Sequence, residues 1–191
     1  NCDKENEWIF LLSDRYFEET ENVKIITLPE IKKSGLKKLW FDCISGKYYI
    51  QKLKPDIVVS LQNIITFGLK VPQVVYIHQS IPFQSIKRFS FIKSSERKLA
   101  VIQYLIGWLI KRSAKKSDSV IVQTKWMKEA VCRSCRIPED KVLTNLPSVK
   151  IEDVDSDTSF DNTEFFYPST DAIYKNVDCI RRASKILDSK G

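Results

Sequence analysis

The sequence predicts an α/β protein with a doubly wound, Rossmann-like parallel sheet and the start of a second α/β domain. Short β-branched runs alternate with segments whose apolar residues recur every three or four positions, as expected for alternating strands and helices. Several runs have few polar interruptions, which is typical of parallel strands covered on both faces. With 191 residues, 43% of them hydrophobic and 29% charged, the chain can form a full core.

The first strands are expected at residues 7–13 and 22–28, two short apolar runs with strand composition. Between residues 31 and 53, apolar side chains recur at helical spacing, so a helix is expected over most of that span. Pro55 ends the helical pattern, because proline removes a backbone donor and clashes with the preceding turn.

The central part of the chain repeats the strand and helix pattern. Residues 54–60, 71–78 and 118–124 contain β-branched runs of strand length. A helix is expected at residues 125–135 and a further strand at 142–144. The alternation predicts parallel strands joined by crossover helices.

The domain organisation is expected to change after residue 147. Residues 1–147 are assigned to the Rossmann-like N-terminal domain, and residues 148–162 are an acidic, aperiodic stretch typical of a linker. Residues 163–191 are expected to begin a second domain, with a strand at 164–168 and a helix at 176–187. Because the chain starts at Asn1 and not at methionine, we expect its natural start to lie upstream.

Charge and cysteine usage limit the function classes. A formal net charge of +7 favours anionic partners such as phosphates, nucleic acid or an acidic membrane surface. Five scattered cysteines in a chain of this size indicate a reducing, cytoplasmic environment. Cys132 and Cys135 have the spacing of a redox or half-zinc motif, but the sequence contains no second pair, so no metal site is expected.

The strongest site candidate is His78, the only histidine, at the end of a predicted strand. Ligands of open parallel sheets bind at the carboxyl ends of strands, whereas the alternative is a structural histidine with backbone partners. Gln79 and Ser80 follow in a polar turn, and Phe83 is expected to supply an aromatic platform. Thr124 ends another strand and is either a plain helix cap or part of the same cleft.

Lys175 and Asn176 lie between a predicted strand and a predicted helix. A lysine in that position can meet a phosphate together with the helix amino terminus. The alternative for Lys175 is a solvated surface lysine.

Residues 99–110 are apolar on nearly every helical face, and four basic residues follow within the span 99–116. Such a helix is either buried, here under the sheet, or in contact with lipid. Basic residues at its end favour a shallow, peripheral contact with an anionic inner membrane surface. The segment is too short to span a bilayer, which takes about 18 apolar residues.

Four stretches occur in a recognisable order: KPDIVVS, VVYIHQSIPF, KKSDSVIVQTKWMKEAV with RIPEDKV, and FFYPSTDAIYKN. Together they resemble glycosyltransferase family 4, the retaining GT-B enzymes of bacterial polysaccharide and glycolipid assembly. The resemblance covers roughly residues 54–187 and mainly concerns the N-terminal, acceptor-side domain.

The resemblance implies roles for residues at matching positions. His78 would lie near the transferred sugar, and Gln79, Ser80 and Phe83 would line the acceptor side. Lys175, with Asn176, would bind the diphosphate of the donor, without metal or cofactor. The family's arginine after a glycine is missing, because Pro168-Ser169 occupy that region, so the phosphate clamp is expected to be weaker or differently made.

The implied activity is that of a hexosyltransferase acting on a nucleoside-diphosphate sugar and a lipid-linked or saccharide acceptor. The family's glycine-rich first loop and paired glutamates would lie beyond the two ends of this sequence, so the chain alone is expected not to transfer sugar. The alternative is a noncatalytic basic α/β module that binds nucleic acid or anionic lipid. No nucleic-acid motif is recognisable, so nucleic acid is not expected as a partner.

Overall fold

A computed structural model describes residues 5–146, 166–170 and 173–189. In these ranges the strands form two parallel sheets, which confirms the α/β fold class. Each of the six strands lies within a run predicted from the sequence. The smaller sheet pairs β1 (Trp8–Leu12) with β2 (Val23–Thr27), and the larger has the order β3 (Val58–Ser60), β4 (Gln73–Ile77), β5 (Ser119–Val122) and β6 (Val142–Thr144).

Seven α-helices are described, two of them continued by a wider π turn. The predicted helix at residues 125–135 is confirmed with the same bounds. The α-helices are α1 (Pro29–Lys32), α2 (Gly35–Trp40), α3 (Gly46–Lys52), α4 (Arg97–Val101), α5 (Gly107–Lys116), α6 (Lys125–Cys135) and α7 (Val177–Asp188), with π turns at Phe41–Ser45 and Ile102–Ile106.

The helix predicted between residues 31 and 53 is interrupted near its start. Ser34 adopts an extended conformation and its hydroxyl accepts a hydrogen bond from the N–H of Leu36, so it caps α2 as a new helix. From α2 to α3 the helix is then continuous through its π turn. The residue directly after that turn, Gly46, has to be glycine, because a Cβ there would lie 2.6 Å from the carbonyl oxygen of Phe41.

The predicted apolar helix extends continuously from α4 to α5 and is buried along one face only. Ala100, Gly107, Ile110 and Ala114 are buried, while Trp108 is 59% exposed. The expectation of burial therefore holds for one face, and the opposite face leaves large apolar side chains in solvent. No helix in the described part of the chain is both long and apolar enough to cross a membrane.

The core lies against one face of the larger sheet. Val75, Val120 and Val142 are neighbours in the strand register and are fully buried, because alternate residues of parallel neighbours point to the same side. On the other face of β4, Val74 and Tyr76 are only half-buried. Coverage of both faces, which the apolar runs predict, is thus uneven in the described ranges. Helices α5 and α6 complete the core with Ile110, Ala114, Met127, Ala130, Val131 and Cys135.

The C-terminal elements agree only partly with the sequence prediction. Helix α7 matches the predicted helix, and its side chains are exposed except for a half-buried Val177. Residues 166–168 are not part of a strand, since no described strand pairs with their backbone, and the other two residues of the predicted strand lie outside the described ranges. The acidic linker at 148–162 also lies outside them, so the division into domains stays a prediction.

Candidate active site

All strands of the larger sheet are parallel, so their carboxyl ends lie along one edge. His78 follows directly after β4 at this edge and is exposed. The loop after β3 reaches the same place, because the N–H of Asn63 donates to the carbonyl of Tyr76 at 3.2 Å. His78 and Asn63, fifteen residues apart in the chain, therefore meet at the sheet edge.

The side chain of Asn63 holds the chain at His78. Its Oδ1 accepts hydrogen bonds from the N–H of His78 at 2.8 Å and from the N–H of Gln79 at 2.9 Å. Its Nδ2 lies 3.2 Å from Nε2 of His78. The backbone of Asn63 has a φ of 67°, a left-handed conformation that asparagine tolerates better than most residues. One amide thus fixes both the backbone and the ring at the end of β4.

These contacts determine which ring nitrogen of a neutral His78 carries the proton. Oδ1 of Asn63 faces two N–H donors, so flipping the amide would place its NH₂ group against both of them. The amide nitrogen therefore faces Nε2 and donates to it, which makes Nε2 an acceptor. The proton of the neutral ring is then on Nδ1, and no described residue bonds to that nitrogen. This arrangement leaves one ring donor for a ligand.

The residues after His78 form a compact turn. The carbonyl of Ser80 accepts from the N–H of Phe83 at 2.9 Å, and Oε1 of Gln79 accepts from the N–H of Ile81 at 3.3 Å. Ser80 is exposed and Gln79 is half-buried, so both reach the surface beside His78. Phe83 is only 7% exposed and belongs to the core, so its ring supports the turn from inside and presents no open platform.

Thr124 lies at the same edge, directly before α6. Its Oγ1 accepts the N–H of Met127 at 3.1 Å, which is the geometry of a helix N-cap. The residue is exposed, yet its hydroxyl is engaged by the helix. Its described role is therefore that of a cap.

The structure does not bring Lys175 and Asn176 together with His78 by any described contact. Both are exposed, and neither shares a hydrogen bond or ion pair with residues 5–146. Asn176 begins α7 with a φ of 50°, and its carbonyl accepts from the N–H of Cys179. A concavity of ≈ 490 Å³ runs along this helix and is lined by Asn176, Asp178, Arg181, Arg182 and Lys185.

Cys132 and Cys135 lie on α6, where the fold partly or fully buries their thiols. Burial raises the pKa of both thiols, which disfavours the thiolate that metal binding requires. Within the described ranges, no group of three or more histidine, cysteine or acidic side chains is placed to hold a metal ion.

Comparison with known protein families identifies the domain that contains this sheet edge. The family model described as Glycosyltransferase Family 4 matches residues 9–146. The chain belongs to glycosyltransferase family 4. The family match extends from β1 to the end of β6, and it includes Asn63 and His78 but not Lys175 or Asn176. No curated protein matches the chain.

Asn63 is the residue at this sheet edge, within the family 4 domain, that the sequence interpretation missed. It stands in the stretch Leu61-Gln62-Asn63 directly after β3, where an asparagine is an ordinary loop residue. The available signal was its position after a strand end, because the carboxyl ends of parallel strands converge. Only the contact with His78 distinguishes it from other loop asparagines.

Proposed function

We propose that the protein is a retaining hexosyltransferase that moves a sugar from a nucleoside diphosphate to a lipid-linked or saccharide acceptor in cell-surface polysaccharide or glycolipid synthesis. The observation that carries the proposal is the family 4 match to a parallel-sheet domain with an exposed histidine at the carboxyl edge of its sheet. This edge is where ligands bind in open α/β sheets.

In the proposed reaction, the bond between the anomeric carbon and the diphosphate oxygen breaks, and the acceptor oxygen bonds to the same face of that carbon. The leaving phosphate takes the proton of the acceptor hydroxyl, so no protein base is required. Lys175 and the amino terminus of α7 beside Asn176 offset the charge on the diphosphate. His78 donates from Nδ1 to the donor sugar or its phosphate, with Asn63 holding the ring.

The acceptor lies on the side of Gln79 and Ser80, the two surface residues of the turn that Phe83 supports. We place the enzyme at the cytoplasmic face of a membrane, with the helix at residues 99–116 in peripheral contact. Support comes from the exposed Leu105 and Trp108 on that helix and from the four cysteines that are free thiols among the described residues.

Transfer by the full-length protein tests the proposal. Purified wild type, His78→Ala and Lys175→Ala are supplied with radiolabelled nucleotide sugars and a lipid-linked acceptor pool. Each variant is expected to lower kcat/KM by about 10²-fold or more, as for loss of one oriented donor to a developing charge. Lys70→Ala, which removes another exposed lysine, is the matched control and should transfer like wild type. The proposal fails if wild type uses none of the donors or if both variants equal it.

A further inference from the structure

The loop before α4 places large apolar side chains fully in solvent. Ile86 is 97% exposed, Ile92 is 90% exposed and Phe91 is 46% exposed. Isolated surface hydrophobics are ordinary, but three within seven residues of one loop concentrate exposed apolar surface, as interaction sites do.

This loop, residues 86–93, is tied to the following helix by side-chain hydrogen bonds. Oε1 of Gln103 accepts from the N–H of Phe89 at 2.9 Å, and its Nε2 donates to the carbonyl of Lys87 at 2.8 Å. Glu96 accepts from the N–H of Ser90 at 3.0 Å and pairs with the ammonium of Lys87. These hydrogen bonds fix the loop backbone, so Ile86 and Ile92 point into solvent. Phe89, which lies between them in the sequence, is buried.

The same surface continues onto the exposed face of the helix. The ring of Phe91 lies 5.6 Å from that of Tyr104, which joins the loop to the helix. Leu105 and Trp108 extend the apolar strip and are 61% and 59% exposed. The guanidinium of Arg112 lies 5.4 Å from the Trp108 ring, so a cation borders the strip at its end.

Positive charge is concentrated on this part of the chain. Residues 84–117 contain nine lysines and arginines and a single acidic residue, Glu96, which is buried. The rest of the chain has 22 basic and 23 acidic residues and is nearly neutral. The surplus charge of the protein therefore lies on the loop and helix that expose the apolar strip. The nine cations are Lys87, Arg88, Lys93, Arg97, Lys98, Lys111, Arg112, Lys115 and Lys116.

We propose that the loop at residues 86–93 is an anchor that inserts Ile86, Phe91 and Ile92 into an anionic phospholipid bilayer. The surrounding cations contact the lipid headgroups, and the exposed helix face rests in the interface. Nucleic acid would also attract the cations, but its phosphates offer nothing to exposed isoleucines. A bilayer uses both the charge and the apolar side chains.

The anchor also determines from which side a lipid-linked acceptor reaches the site. This part of the inference rests on the proposed transferase function. Pro82, in the turn after His78, packs so closely on the helix that a Cβ at Gly107 would lie 2.8 Å from the Pro82 Cβ. The turn with Gln79 and Ser80 is therefore attached to the docked helix. An acceptor with a lipid anchor would reach the site from the bilayer on this side.

Vesicle flotation of the full-length protein tests the anchor without any need for turnover. The probes are vesicles of equal parts phosphatidylcholine and phosphatidylglycerol, and vesicles of phosphatidylcholine alone. Wild type is expected to float with the anionic vesicles and much less with the neutral ones. Ile86→Ser/Ile92→Ser should reduce partitioning by at least about tenfold, because each fully buried isoleucine alone is worth about that factor.

Leu36→Ser/Leu187→Ser removes two other exposed leucines and is the matched control, which should float like wild type. The anchor is refuted if wild type ignores anionic vesicles, if the isoleucine variant floats equally well, or if all three proteins bind only an added RNA homopolymer. Transfer to a water-soluble saccharide acceptor separates the two proposals. The isoleucine variant should retain that transfer, whereas failure of transfer in wild type leaves the flotation result intact.

Discussion

Replacing Asn63 with alanine is expected to lower the free energy of unfolding by about 2–3 kcal/mol. The change removes two hydrogen bonds from Oδ1 to the N–H groups of His78 and Gln79, each worth about 1 kcal/mol. It also leaves an alanine in a left-handed conformation, at a cost of about 1–2 kcal/mol. The total is placed below the sum because His78 is exposed and its N–H can bond to water. Urea unfolding followed by tryptophan fluorescence measures the change.

Two further variants at Asn63 separate the causes. Asn63→Gly loses the same hydrogen bonds but tolerates the positive φ, so it should be more stable than the alanine variant by about 1 kcal/mol. Asn63→Asp keeps an oxygen acceptor for both N–H groups and should unfold within about 0.5 kcal/mol of wild type. Equal stability of the alanine variant and wild type would refute the account of the loop.

The aspartate variant also tests the proton position on the ring. An aspartate oxygen facing Nε2 can only accept, so the neutral ring should move its proton from Nδ1 to Nε2. Because His78 is the only histidine, ¹⁵N-labelling of histidine gives the ring nitrogens of this residue alone. Long-range ¹H–¹⁵N spectra in mildly alkaline buffer distinguish the two tautomers. The assignment is wrong if wild type carries the proton on Nε2 or if the aspartate variant gives the same pattern.

Three other predictions concern packing, titration and thiol reactivity. Gly107→Ala should destabilise the protein by about 1–3 kcal/mol, because its Cβ would overlap Pro82; an unchanged urea midpoint would contradict this close contact. Burial raises the pKa of Asp42 above its ordinary value of 3.8. The protonated carboxyl therefore makes its full contribution to the free energy of unfolding below that pH, and this contribution is lost as the pH rises through the folded-state pKa. Asp42→Asn should remove this decline from the pH dependence of the unfolding free energy, and a persisting slope would count against it. Iodoacetamide should label the exposed Cys179 in the native protein. Cys135 is buried, which raises the pKa of its thiol, so it should be labelled only after unfolding. Labelling of native Cys135, detected by peptide mass mapping, would be inconsistent with its core position.

The succession of strands and helices is predictable because local patterns encode it. Helix α6 begins after Thr124, a residue type that caps helices, and the apolar runs of β4 and β5 have a composition that suits the buried side of a sheet. The interruption at Ser34 was not expected, because a single capping serine inside a helical repeat has a weak sequence signal. Of the strand expected at residues 164–168, the described residues 166–168 pair with no described strand, and composition alone does not supply the partner that a strand needs.

The candidate site is predictable only as far as position along the chain determines it. The order of residues places His78 at the end of a strand, and the strand-end rule for parallel sheets makes it a candidate. The partner of its ring is Asn63, on a different loop, and the sequence contains no local sign of that contact. Phe83 shows the reverse case, since an aromatic residue after a polar turn serves equally well as a surface platform or as part of the core.

The sequence by itself determined the fold class, the family resemblance and the excess of positive charge, because composition and short-range periodicity carry these properties. Tertiary structure alone decided which face of the helix at residues 97–116 is buried, which side chains the loop at 86–93 leaves in solvent, and which nitrogen of His78 is free to donate. The physical reason is that burial and hydrogen bonding depend on contacts between segments far apart in the chain. An isoleucine has the same apolar surface wherever it stands, and only its neighbours in space determine whether water or protein covers it.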